Sequence, residues 1–222
     1  MSAFSDPEAV ARYAEGPLRL VPGFLDLQRM AGLLLAERAP ADARILVLGA
    51  GGGLELKAFS ERYAGWSFDG VDPSAEMLKL AAQTLGPFAA RARLHQGYID
   101  DAPTGPFDGA ACLLTLHFIP EDERRRTLSQ IHRRLTPGAR LVVAHHSFPQ
   151  GAHKATWLKR YAAFAVSSGV PAPDAERAIR AIDEQLPTLS PERDTALLEE
   201  AGFSDVELFY AGFSFRGWVA TA

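Results

Sequence analysis

Apolar positions along this chain change period repeatedly. Short runs of β-branched residues and leucine, with few polar interruptions, alternate with longer stretches whose apolar residues return every three or four places. Residues near 7–15 and 24–38 read as helices, the second carrying Leu25, Leu27, Met30, Leu33, Leu34 and Leu35. Arg19 to Phe24, with Pro22 and Gly23, reads as the turn between them. Arg44 to Leu48 is the first strand, and a helix follows from about Gly53 to Tyr63. Trp66 to Val71 is the second strand, closed by Asp72-Pro73-Ser74, where Ser74 caps a helix running to about Leu85. Arg93 to Gln96 and Phe107 to Leu116 are the third and fourth strands. Glu121 to Leu135 is a charged helix stopped by Thr136-Pro137-Gly138, and Arg140 to His145 is the fifth strand. Such alternation predicts an α/β fold, a mostly parallel sheet with helices on both faces.

After the fifth strand the pattern becomes purely helical, from about Gln150 to Leu189, and reads as an insertion or lid. Ser190-Pro191 opens a further helix that Gly202 stops. Val206 to Tyr210 and Phe215 to Thr221 are the last strands, joined by Ala211-Gly212-Phe213-Ser214 as an antiparallel hairpin.

Composition narrows the possibilities. The 222 residues suit one domain over 1–222, with N-terminal helices in 1–40 and the insertion at 150–189. A net charge of -4 lacks the basic footprint of a nucleic-acid partner. A single cysteine, Cys112, excludes an internal disulfide and sits in an apolar run as a small buried hydrophobe. No run approaches the ~18 apolar residues of a spanning helix, and Met1 to Pro7 shows no leader pattern. The expectation is a cytoplasmic protein, monomer or homodimer, acting on a small molecule, with no membrane partner.

The candidate chemistry lies at Gly49-Ala50-Gly51-Gly52-Gly53, where a strand turns sharply into a helix. Glycines let a ligand approach the backbone, and the helix start offers free N–H groups. Asp72 ends the next strand, where an acid can accept both hydroxyls of a ribose. The dinucleotide fingerprint asks for Gly or Ala where Leu54 stands, so Gly-x-Gly-x-Gly describes the turn better.

These motifs, in this order, resemble the class I S-adenosylmethionine-dependent methyltransferases. The resemblance extends through Phe68 to Met77, Phe107 to Pro120, Leu135 to Leu141, and the terminal Ala201-Gly202-Phe203 with its paired strands. It implies a Rossmann-like seven-stranded sheet in the order 3-2-1-4-5-7-6 with a helical lid, and S-adenosylmethionine as cofactor. Gly49, Gly51 and Gly53 would cradle the amino-acid end and Asp72 the ribose, with Met77, Tyr98 and Ile99 flanking the adenine. Tyr13, Ala50, Pro73, Leu114 and Thr115 complete the implied cofactor set. Within the family, Arg19 to Phe24, Thr115 to Phe118 and Phe209 to Gly217 are similar to carboxy-S-adenosylmethionine synthases, which make a carboxylated cofactor for tRNA wobble-uridine modification. Phe24, Leu113 and Gly97-Tyr98 depart from that group's tyrosine, asparagine and Gly-Asp, and Val47 stands where the family has an acid on strand one. The departures favour ordinary methyl transfer; a carboxy-S-adenosylmethionine synthase-like reaction and a non-catalytic cofactor-binding protein are the alternatives.

Methyl transfer mainly requires donor and acceptor to be held in line, so a catalytic dyad is not obligatory. His117 and His146 follow the fourth and fifth strands at the edge where ligands bind and are the catalytic candidates, as base or acceptor-orienting groups; packing roles are the alternative. His145 and His146 are adjacent on a strand and should face opposite ways, which excludes a shared metal. Trp157, Arg160, Tyr161 and Phe164 share one helical face and read as lid packing or a substrate cage. Arg177 and Arg180 read as a solvated helix face or an anion site, and Glu121 to Arg126 as a solvated helix start.

Overall fold

In the computed structural model, residues 15–222 are described. The N-terminal helix expected at 7–15 and the cofactor role of Tyr13 lie outside the described residues, apart from Glu15. Seven strands form one sheet: β1 (Arg44–Leu48), β2 (Ser67–Asp72), β3 (Ala92–Gln96), β4 (Phe107–Leu113), β5 (Leu135–His146), β6 (Ser204–Gly212) and β7 (Phe215–Thr221). Their order is β3-β2-β1-β4-β5-β7-β6, as expected. The first five run parallel, and β7 is antiparallel to both β5 and β6. The reversal after β1, between β1 and β4, opens a crevice at the carboxyl ends of the strands.

Helices cover both faces because the central strands β1, β4, β5 and β7 bury both of their sides, while the edge strands β3 and β6 are partly exposed. On one face α2 (Phe24–Ala36) and α3 (Leu54–Arg62) seat Leu27, Ala31, Leu35, Leu56 and Phe59 against Ile45, Val47, Ala111 and Val142. On the other, α5 (Glu121–His132) and α8 (Pro191–Glu200) seat Leu128, Ile131, Leu197 and Leu198 against Leu46, Ala110, Leu141 and Trp218. A third helix, α4 (Ala75–Leu85), is capped by Ser74, whose hydroxyl accepts from Met77 N–H. The segment after β5 forms α6 (Lys154–Ser167) and α7 (Ala172–Gln185), broken at Gly169 and Pro171. It packs as a helical cap: Leu158, Tyr161 and Ile182 join the first core.

Several boundaries differ from the sequence expectation. The turn at Arg19 is preceded by a short helix, α1 (Glu15–Leu20). Helix α5 ends at His132 and β5 begins at Leu135, ahead of the Thr-Pro-Gly turn. There Phe107 N–H donates to Arg134 C=O (2.8 Å) and Gly138 N–H to Ala222 C=O (2.7 Å), so the turn is drawn into the sheet through a bulge. Strand β4 stops at Leu113 because Leu114 takes φ 56°, and Leu116 to Phe118 form one turn of 3-10 helix.

The reading of Glu121 to Arg126 as a solvated face fails at Arg124, which is wholly buried. Its guanidinium pairs with Asp194 on α8 at 2.6 Å and donates to Ile119 C=O and Pro187 C=O. A guanidinium is buried at tolerable cost only when it is paired and most of its donors are satisfied; here both terminal nitrogens are bonded and Nε is left without a partner among the described residues.

Candidate functional site

The turn from β1 to α3 is held by backbone bonds. Gly49 and Ala50 N–H both donate to Val71 C=O, at 2.8 and 3.0 Å, fastening the turn to the end of β2. Gly49 sits at φ 72°, and a Cβ there would overlap the Thr115 hydroxyl beyond β4. Gly53, at φ 79°, lies on α4; a Cβ would stand 2.8 Å from Ala81 Cα. Glycine at these two points permits both the left-handed backbone and the close approach.

Asp72 binds the two halves of this site together. One carboxylate oxygen accepts from Gly51 N–H and the other from Ser74 N–H, both at 2.9 Å. Burial pushes its pKa up, while the N–H groups of Ser74 and Gly51 pull it down. Each oxygen keeps a further lone pair, so a diol can still be accepted.

Above this turn lies a cavity of about 720 Å³, at the carboxyl ends of β1, β2 and β4. Gly49, Gly51, Asp72, Pro73, Met77, Tyr98, Ile99, Leu114 and Thr115 line it. Two residues of the expected set, Ala50 and Gly53, are not on the wall; they shape the turn from beneath. Ala50 is buried in the first core, and Gly53 caps α3. The wall also includes residues the sequence reading did not single out: Asp100, Asp101, Glu123, Arg126 and Thr127. At the rim Arg126 reaches both carboxylate oxygens of Asp100, at 3.0 and 2.8 Å. The partners are 26 residues apart, so no local pattern announces them. With Asp72 these acids outnumber the one cation, giving the cavity a negative field that suits a cationic ligand.

Just below the turn, Glu55 in the first turn of α3 is almost completely buried. Burial raises its pKa to about 7, its own backbone N–H opposes the shift, and Asp72 adds to it.

The histidine candidates are buried and do not line the cavity. His146 N–H donates to His117 Nδ1 at 3.2 Å, which leaves the His117 proton on Nε2 in the neutral form. Burial, with His146, His145 and Arg124 nearby, holds the His117 pKa well below its usual value. Burial, chiefly, takes His146 down to about 3. His146 stacks on Phe215 at 4.0 Å between centroids and shares a 3.0 Å hydrogen bond with the Ser214 hydroxyl. As expected, His145 faces the other way, toward Trp218 and Asp194. Of the cap residues, Tyr161 is buried against His146 and Phe215, Phe164 meets Phe213, and Trp157 is flanked by Arg160 and Arg216. Arg177 pairs with Asp174 on the surface. Among the described residues no cluster of histidines, cysteines or acids could hold a metal, and no helix is long and apolar enough to cross a membrane.

Comparison with known proteins agrees with this geometry. The Methyltransferase domain family matches residues 45–138, from β1 to the turn in β5. The carboxy-S-adenosyl-L-methionine synthase of Chromohalobacter salexigens is 26% identical over 220 residues, covering 97% of this chain and 82% of that protein. The enzyme of the same name from Methylococcus capsulatus is 28% identical over 228 residues, covering 98% and 93%. Among solved structures, an O-methyltransferase family protein from Burkholderia thailandensis superposes with a TM-score of 0.71 at 15% identity, over 99% of this chain. The chain spans 61% of that protein's length. Residues 45–138 thus carry a methyltransferase domain, and the chain as a whole has the fold of the S-adenosylmethionine-dependent methyltransferases.

The residues present fit that cofactor. No side chain projects from the turn at Gly49 and Gly51, a carboxylate with free lone pairs stands at the end of β2, and the wall carries more acids than cations, which suits a ligand with a net positive charge.

Proposed function

We propose that the protein transfers the methyl group of S-adenosylmethionine to a small-molecule acceptor. The observation that carries this reading is the Gly49–Gly51–Asp72 unit opening into a cavity with an acidic wall. In this reading Gly49 and Gly51 take the amino-acid end, Asp72 accepts from the ribose hydroxyls, and Met77, Tyr98 and Ile99 flank the adenine. The cofactor supplies an electrophilic methyl group. The chain's own residues hold it, exclude water and aim the acceptor, and orientation of this kind is worth ~7–11 kcal/mol. Buried away from the cavity wall, His117 and His146 support the site by packing and internal hydrogen bonds rather than by touching the acceptor. Their low pKa values keep them neutral, and a histidine at about 3 is a weak base near pH 7.

A second reading is favoured by the curated relatives: a carboxy-S-adenosylmethionine synthase-like reaction on the cofactor itself. Side chains at the departing positions speak against it. Phe24 and Leu113 are buried apolar residues, and Tyr98 is largely exposed at the rim. Mass spectrometry of the purified protein separates the readings. S-adenosylmethionine or S-adenosylhomocysteine should co-purify. A co-purified carboxylated cofactor, or its formation from added prephenate, would replace the first reading with the second.

A further inference from the structure

We propose that Arg216 and Arg160, packed on Trp157, bind an oxyanion of the methyl acceptor, a carboxylate or a phosphate. The inference rests on the methyl-transfer reading and names the acceptor's chemical class. Trp157 and Arg160 lie on α6, and Arg216 lies near the start of β7. Their guanidinium carbons stand 4.5 Å (Arg160) and 5.2 Å (Arg216) from the Trp157 ring centroid. Two cations thus share one indole. Among the described residues neither forms an ion pair with a carboxylate. Arg216 spends Nη1 on Phe213 C=O and Phe215 C=O, and its Nη2 and Nε donate to no described residue. It is also half-buried beside Tyr210, whose hydroxyl is committed to Pro22 C=O at 2.6 Å. A half-buried guanidinium with no counter-charge is unfavourable until an anion arrives. The planar fork then matches an oxyanion through two parallel hydrogen bonds.

Position relates the pair to the cofactor cavity. Because β7 is antiparallel, its start lies beside the end of β5: Phe215 is in register with His146 and Arg216 with His145. The guanidinium therefore sits at the same sheet edge as the cavity, two strands beyond β4, or about 10 Å. His146 and Tyr161 occupy the interval. The Tyr161 ring is buried against His146 and Phe215, and its hydroxyl makes no hydrogen bond to a described residue. An acceptor anchored at Arg216 and Arg160 would have to pass outside the buried Tyr161 and reach across about 10 Å to present its nucleophile to the cofactor.

The test uses the full chain saturated with S-adenosylhomocysteine, with benzoate and phenyl phosphate as probes, titrated by calorimetry or nuclear magnetic resonance. At least one probe should bind. R160Q and R216Q should each weaken it about fivefold or more, with S-adenosylhomocysteine affinity unchanged. The stronger probe identifies the anion as carboxylate or phosphate. R216K, which keeps the charge without the fork, should recover only part of the loss. R160Q changes an exposed side chain and keeps the test valid if R216Q fails to fold. Absence of binding by both probes, or binding indifferent to R160Q, overturns the proposal while the methyltransferase reading stands. Failure of S-adenosylhomocysteine itself to bind overturns both.

Discussion

The backbone N–H of Gly51 donates to Asp72 at 2.9 Å, so the residue expected to hold the ribose also holds the glycine turn. Loss of the Asp72 side chain should therefore have two separable effects. D72N keeps the shape but turns one acceptor oxygen into a donor facing a backbone N–H; it should weaken S-adenosylhomocysteine by about 1.5–3 kcal/mol and lower stability by about 1 kcal/mol, less than D72A. D72A should add a loss of stability of about 1–3 kcal/mol, because two backbone N–H groups lose their acceptor. Calorimetry and urea unfolding on both variants measure the two effects. Unchanged affinity in D72A would place the ribose elsewhere.

G49A tests the close approach directly. A Cβ at this position overlaps the Thr115 hydroxyl and must be carried at φ 72°. The strain should be about 1–3 kcal/mol, and the displaced turn should abolish detectable cofactor binding. T115G in the same chain removes the hydroxyl, the methyl and the Cβ that the new group would meet, and should restore part of the binding. Wild-type affinity in G49A alone would show that the turn does not touch the cofactor.

Glu55 predicts a pH dependence of stability. Its pKa is about 7 in the folded chain against an ordinary 4.5. Below pH 4.5 the carboxyl is protonated in both folded and unfolded states and costs nothing relative to glutamine. As the pH rises from 4.5 to 7 the unfolded chain ionises first, and stability falls by about 3 kcal/mol in total. E55Q should therefore match the wild type near pH 4 and exceed it increasingly up to pH 7, with a plateau above. Urea midpoints across that range would read the difference; a gap that does not vary with pH would refute it.

The buried Arg124–Asp194 pair gives a stability prediction of the opposite kind. R124M leaves Asp194 buried and unpaired by arginine, and should cost about 3–5 kcal/mol. R124M combined with D194L should cost clearly less than the sum of the single changes, because no orphan charge is left. Additivity in unfolding measurements would mean that the two residues do not act as a pair.

How legible these features were in the sequence depended on their range. The strands β1, β2, β4 and β7 were legible as mostly apolar runs near glycine, proline or aspartate, though β4 stops three residues earlier than its apolar run; β3, Ala92–Gln96, was marked only by its place between a helix and Gly97. The opposed directions of His145 and His146 followed from the two-residue period of a strand. The start of β5 was not legible: Leu135-Thr136-Pro137-Gly138 carries the local signal of a helix stop, and only pairing with Phe107 and Ala222 makes it sheet. Arg124 looked like one of three solvated arginines because its partner lies 70 residues away. Asp72 and the glycines were legible as a cofactor site since a strand end and a tight turn are both local. The Arg126–Asp100 rim and the Arg216–Trp157 contact depend on tertiary placement.

The central claim, that the turn at Gly49 and the carboxylate of Asp72 form an S-adenosylmethionine site, is tested most directly by titration calorimetry with S-adenosylhomocysteine. The account predicts saturable heat with one site per chain, lost in G49A and strongly weakened in D72N, and no heat with NAD. Silence at high micromolar S-adenosylhomocysteine together with saturable binding of NAD would contradict it.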